Sequence, residues 1–229
     1  MRSRAIVLFL SGLCTLPLLG NDFTIRGIKG TVEVRHGVTD EWKRVKVGDV
    51  LKPEDSMRTG KSSTAAIESE KKRLTVPEMT IIDISDVREL TQEEFLLKLA
   101  MENVLAVPPR EKDEIMIPSA TVLHGTGKGK EENEAVTTKA VGQMQLHGAK
   151  VLYDNAFYAT SILKSKETLR KYPELRSNYD ARLMVASAFE KLRLNTQAVT
   201  EYSLLAKEDL TAHQLKKVRT SIDRLKQTK

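Results

Sequence analysis

VKVGDVLKPEDSMRTG, residues 45–60, decides the reading of the fold. Val45-Lys46-Val47 alternates apolar and polar side chains as a half-buried strand does. Gly48-Asp49, Pro53 and Thr59-Gly60 then interrupt the chain every few residues with turn chemistry. Gly48 and Gly60 suit positive φ in tight turns, and Asp49 and Thr59 can bond to nearby backbone groups. Toward the N-terminus the same rhythm recurs in Thr31-Val32-Glu33-Val34-Arg35, with Gly27, Gly30 and Gly37 as punctuation. Toward the C-terminus, Ala65-Ala66-Ile67, Leu74-Thr75-Val76 and Ile81-Ile82-Asp83-Ile84 supply three more short runs. β-Branched residues between turn residues predict a compact all-β unit over about Phe23 to Val87. Pro53 and Pro77 belong in turns or at edges, where no ladder hydrogen bond is lost.

Gly30, Trp42, Val47-Gly48-Asp49, Arg58-Thr59-Gly60 and the small-residue run Ser63-Thr64-Ala65-Ala66-Ile67 form an ordered set. In that order the chain from Gly30 to Ile84 resembles a FecR domain. One departure is the turn after the small-residue strand, where Glu70-Lys71-Lys72-Arg73 stands in place of the family's Asp-Gly. The resemblance implies a periplasmic signalling association. The iron-uptake regulators of that family also carry a cytoplasmic anti-sigma segment and a membrane helix ahead of the domain. Neither pattern is present here, so direct control of a sigma factor is not expected. Trp42, the single tryptophan, is expected to anchor the sheet face.

Thr91 followed by Glu94 is a capping box, and Phe95, Leu96, Leu99, Ala100 and Val104 keep helical spacing until Pro108-Pro109. An amphipathic helix over 91–105 is predicted, its apolar face docked on the β unit. Ile115 to Gly125 resembles a later segment of FecR proteins, which implies a return strand over 115–124. Gly125-Thr126-Gly127-Lys128-Gly129-Lys130 fails the phosphate-loop pattern, because no glycine stands at the required spacing and neither lysine precedes Ser or Thr. With Glu131 and Glu132 after it, residues 125–136 read as a polar linker.

From residue 137 to 229 Ala, Leu, Lys and Glu dominate and Gly and Pro are scarce, which is helical composition. Ala186, Phe189, Ala198 and Tyr202 match the small-aromatic-small-aromatic spacing of a tetratricopeptide repeat, which this region resembles. A weaker copy runs through Ala149, Leu152, Ser161 and Ser165 to Tyr172-Pro173. Thr211 with Gln214 starts a last helix carrying Leu215, Val218, Ile222 and Leu225 on one stripe. The expected fold class is therefore α+β in two domains. A β-rich FecR-like domain spans 23–124 with its core at 30–87, and tetratricopeptide-like helical hairpins span 137–229.

Arg2 and Arg4 precede an uncharged stretch from Ala5 to Asn21, the pattern of a secretory signal peptide over 1–20 with cleavage between Gly20 and Asn21. Cys14 raises a lipid anchor as an alternative, although Leu13 before it is larger than a lipobox prefers. The formal charge of the chain is +6, with 37 basic and 31 acidic residues; losing Arg2 and Arg4 reduces it to +4. The basic residues are interleaved with acids, so no nucleic-acid partner is expected. One cysteine excludes an internal disulfide. His36, His124, His147 and His213 show no ligand or catalytic spacing, and no G-x-S-x-G elbow occurs. No catalytic residue, metal or cofactor is expected. The expectation is an exported, non-enzymatic protein of the periplasm or cell envelope that binds a protein or cell-wall partner. It would meet a membrane only through an uncleaved or lipidated N-terminus. A carbohydrate-binding module, or an enzyme without a recognisable motif, is the alternative.

Overall fold

The structure is a computed structural model that describes residues 22–70, 72–107 and 138–227. The predicted signal peptide with Gly20 and Asn21, the return strand and the linker lie outside the described residues. The N-terminal region is mostly β. β1 (Phe23–Lys29), β4 (Val50–Leu51), β6 (Thr64–Glu68) and β7 (Arg73–Val76) form one antiparallel sheet in the order β4-β1-β6-β7. β2 (Val32–Arg35), β3 (Lys43–Arg44), β5 (Ser56–Thr59) and β8 (Thr80–Asp83) form a second in the order β3-β2-β5-β8. Strand period two explains the layering. Ile25, Ile67 and Leu74 of the first sheet and Val34, Met57 and Ile82 of the second are buried in one apolar cluster. Glu33, Arg35 and Arg58 face the other way and are only half-buried.

Three local expectations are corrected. Val45-Lys46-Val47 is not a strand; the pairing residues are Lys43–Arg44 before it and Val50–Leu51 after it. Backbone bonds account for this. Lys46 accepts from Asp49 N at 3.2 Å, and Ile25 N donates to Asp49 O at 2.9 Å, which turns the segment from one sheet to the other. Gly60 does not take positive φ. The left-handed residue of its turn is Ser62 at φ 54°, while Gly60 N donates to Thr31 O at 3.0 Å. Gly27 does not end a run either, since it lies inside β1 at a register shift.

The C-terminal region is helical. α1 (Gln92–Leu105) is followed, after the undescribed residues, by α2 (Thr138–Asp154), α3 (Tyr158–Lys171), α4 (Tyr179–Lys191), α5 (Asn195–Leu205) and α6 (Ala212–Gln227). The capping box of α1 forms: Glu94 N donates to Thr91 Oγ1 at 3.2 Å, and Thr91 N donates to Glu94 Oε2 at 3.0 Å. Short connections make α2–α3 and α4–α5 helical hairpins, and α6 packs on α5.

The docking of α1 differs from the expectation. Phe95 and Leu99, one turn apart on the same face, join Ile162, Phe189 and Tyr202 in the helical cluster and not the β core. The Phe95 and Phe189 rings are 6.2 Å apart, and Arg170 of α3 grips Glu102 through Nε at 2.5 Å and Nη2 at 3.1 Å. The place on the β unit is taken by α2, which lies along β8. Val151, Leu152 and Phe157 enter the β core, so the two regions share buried apolar surface. Gly148 permits this close approach, because a Cβ there would stand 1.9 Å from the Ile81 carbonyl oxygen.

Candidate functional site

The residues of the 30–60 pattern converge on the second sheet and its turns. The Trp42 ring faces the guanidinium of Arg58 at 4.5 Å and that of Arg35 at 5.3 Å, and Arg58 Nε donates to Glu33 Oε2 at 2.7 Å. Trp42 is thus a half-buried sheet-face anchor held by cation–π contacts. Thr59 Oγ1 donates to Pro77 O at 2.5 Å and accepts from Thr80 N at 3.1 Å. Gly30 has φ +75°, and its missing Cβ leaves room for Ser63, whose Oγ accepts from Thr31 N at 2.9 Å. Gly48 has φ +99°, and Asp49 Oδ2 accepts from Lys46 N at 2.9 Å. Each of these polar groups is spent on the chain itself, at Gly30 and Gly48-Asp49 in turns and at Arg58 and Thr59 within strand β5, where Thr59 was expected in a turn, so the pattern is structural.

A second constellation joins the two regions. α3 buries Thr160, Ser161, Lys164, Ser165 and Thr168 along one face. Three of the hydroxyls bond to nearby backbone carbonyls, Thr160 Oγ1 to Phe157 O at 3.2 Å, Ser161 Oγ to Ala149 O at 2.8 Å and Thr168 Oγ1 to Lys164 O at 2.7 Å, while Ser165 Oγ has no hydrogen-bond partner among the described residues. Lys164, its side chain 8% exposed, donates from Nζ to Asp83 Oδ2 of β8 at 2.5 Å and lies 3.6 Å from Glu167. The other Asp83 oxygen accepts from Ser56 Oγ at 2.5 Å, and Ser56 Oγ accepts from Arg35 Nη2 at 3.1 Å. A polar chain therefore runs across the outer face of the second sheet and onto α3.

Burial opposes charge on all of these groups, and mutual attraction decides the outcome for most. Burial would raise the Asp83 carboxyl, but the Lys164 charge and hydrogen bonds from Lys164 and Ser56 hold it below its ordinary value. Burial would lower the Lys164 ammonium, yet Asp83, Asp86 and Glu167 together raise it. Asp86, in the 3-10 turn after β8, goes the other way. Burial pushes its carboxyl up to about 6; Asp83 and Glu167 add to the rise, and Lys164 resists it. A lysine held charged is not a nucleophile, and the hydrogen bonds of Ser56 Oγ run to Arg35 and Asp83. The cluster is a buried ionic junction.

A third feature is a groove of about 530 Å³ between α2, α4 and α6. α2 and α4 are the first helices of the two hairpins and α6 follows the second, and all three contribute side chains to the groove. His147, Lys150, Asp180, Met184 and Lys217 border it. His147 Nδ1 donates to Met79 O at 2.8 Å, and Tyr153 OH bonds Ser187 Oγ at 2.7 Å on its floor. Beneath the groove Ala186, Phe189, Ala198 and Tyr202 are all buried together, the small residues bringing α4 against α5 and the aromatics filling between them. The earlier set of Ala149, Leu152, Ser161 and Ser165 is buried as well.

The sequence reading assigns no site role to Lys164 or Asp83 and does not bring the groove residues together. Lys164 had a usable signal, since it falls on the same helical face as Ser161, Ser165 and Thr168. The groove had none, because its residues come from three helices far apart in the chain. His36 bonds Asp55 through Nδ1 at 3.0 Å, His213 is exposed, and His124 is outside the described residues. Among the described residues no group of three or more His, Cys, Asp and Glu could hold a metal ion. No helix among them is long and apolar enough to cross a membrane. Comparison with protein-family models, curated proteins and solved structures gives no match to this chain.

Proposed function

We propose that this chain is an exported, non-enzymatic envelope protein, in which a FecR-like β unit supports a tetratricopeptide-like helical array that binds a protein or cell-wall partner. The observation that carries this reading is the concave groove between α2, α4 and α6. It is open, mixed apolar and polar, and built on rigid helices, which suits an extended segment of a partner. The polar groups of the FecR-like pattern are consumed within the β unit, in its turns and across its second sheet, so the β unit acts as the platform. The buried junction at Lys164 and the close approach at Gly148 fix the array on that platform, as a scaffold needs.

The test is site-specific photo-crosslinking of the full chain in its own cells, with the reactive group at Leu183 in the groove or at Glu89 on the β side. A discrete adduct from Leu183 that Met184→Glu abolishes, and none from Glu89, is the expected result. Export is checked by N-terminal sequencing of the mature protein, which should begin at Asn21. An adduct from Glu89 alone, or a mature chain in the cytosolic fraction with residues 1–20 intact, would overturn the proposal.

A further inference from the structure

α1 is apolar on two faces. Phe95 and Leu99 are buried in the helical cluster, whereas Leu97, Met101 and Val104 stand 58–72% exposed at spacings of four and three residues. Leu105 and Val107 continue this exposed stripe. A helix apolar on opposite faces presents a contiguous exposed patch of the kind that marks an interaction surface.

Beside the stripe, between the last turn of α1 and helices α3, α4 and α5, lies a groove of about 670 Å³. Its charged lining is Glu102, Lys166, Arg170, Arg176, Arg182 and Glu201, an excess of two positive charges. Glu102 pairs with Arg170, Glu201 with Lys166, and Arg182 with Glu208 outside the lining. Arg176 is exposed and has no ion-pair partner among the described residues.

We infer that this face docks an acidic amphipathic segment of a partner protein, its apolar side chains on the α1 stripe and a carboxylate on Arg176. Charge complementarity selects the acidic chemistry. A bilayer fits less well, because the groove beside the stripe is concave and a bilayer is flat. A second copy of this chain fits less well too, since a two-fold pairing would bring two grooves of like charge together. The surface is separate from the α2–α4–α6 groove, and it does not rest on the reading of that groove.

The test is selection of a displayed library of random short peptides on the full chain, with affinities of the enriched sequences measured by fluorescence polarisation. The expected winners combine Asp or Glu with Leu, Ile, Val or Phe. Met101→Glu and Arg176→Glu, both at exposed positions, should each weaken them by about tenfold or more, while Met184→Glu in the other groove leaves them unchanged. Circular dichroism checks that both variants keep the fold. Basic or purely polar winners, or affinities indifferent to both substitutions, overturn the inference. So does a dimer in light scattering that Met101→Glu dissociates, which assigns the face to a second copy. Binding to phosphatidylglycerol vesicles that Met101→Glu abolishes assigns it to a bilayer and overturns the inference equally.

Discussion

Gly148→Ala tests the contact that joins the two regions. The added Cβ would lie 1.9 Å from the Ile81 carbonyl oxygen and 3.0 Å from its carbon. Ile81 lies in β8, the edge strand of the second sheet, and is paired with Arg58 of β5, so its carbonyl is backbone that moves only with the strand and not as a side chain would. α2 must instead retreat by roughly 1–1.5 Å to restore an ordinary contact, and a gap of that size forfeits a large part of the dispersion contact along the seam. Val151 and Leu152, buried in the β core from the same helix, lose packing with it. Overpacking of this kind costs about 3 kcal/mol, and alanine's better helix propensity returns about 1 kcal/mol. The expected net loss is about 2 kcal/mol, a fall in Tm of about 4–8 °C for a chain of this size. Thermal unfolding followed by far-ultraviolet circular dichroism reads the helices, and Trp42 fluorescence reads the second sheet. Gly142→Ala is the comparison. Its Cβ would meet the side chains of Leu175 and Tyr172 at 2.7 Å, a milder clash and one with side chains instead of backbone, so a smaller loss than at Gly148 is expected. A Gly148→Ala protein as stable as the parent, or more stable, would refute the reasoning.

Three further outcomes follow from the same junction and its neighbours. Lys164→Met leaves the Asp83 carboxylate partly buried without its cation and should cost about 3–5 kcal/mol in urea unfolding. Adding Asp83→Asn should recover much of that loss, and strictly additive effects would contradict a coupled pair. Asp86 has a folded-state carboxyl raised to about 6 from 3.8, so its contribution to stability is fully present below about pH 4 and is lost as pH rises through 6. Asp86→Asn should therefore gain about 2–3 kcal/mol at pH 7.5 and almost nothing at pH 4; equal gains at both values would show that the carboxyl is not raised. Phe95→Ala removes a buried ring 6.2 Å from Phe189 and should cost about 3–4 kcal/mol. Hydrogen exchange should quicken in α1 and α4, and quickening confined to β1 and β6 would place α1 on the β unit after all.

Legibility in the sequence tracked the range of the interaction. The strand at Val32–Arg35 coincides with the alternating run 31–35, and those at Thr64–Glu68, Arg73–Val76 and Thr80–Asp83 overlap the short runs 65–67, 74–76 and 81–84, because strand propensity and pattern act along one chain against one core. The capping residues Thr91 and Thr211 were readable for the same reason, each partner lying three residues away. Val45-Lys46-Val47 misled because three alternating residues do not reveal whether a second strand lies beside them. Gly60 misled because its turn placed the left-handed residue two positions later, at Ser62. The face of α1 was readable and its neighbour was not, since Phe95 and Leu99 fit either apolar surface until α2 occupies one of them.

What the sequence determined by itself is the succession of a β-rich region and a helical one, with the turns, the caps and the buried set of Ala186, Phe189, Ala198 and Tyr202. These follow from local backbone preference and from hydrophobic period, which act over a few residues. Only the tertiary structure decided that α2 rather than α1 closes on β8, that Lys164 meets Asp83 from 81 residues away, and that two grooves flank the helices. Those outcomes depend on which complementary surfaces meet first and fit best. A glycine where a carbonyl must pass, and a lysine facing a buried carboxylate, acquire their meaning only once the partner is in place.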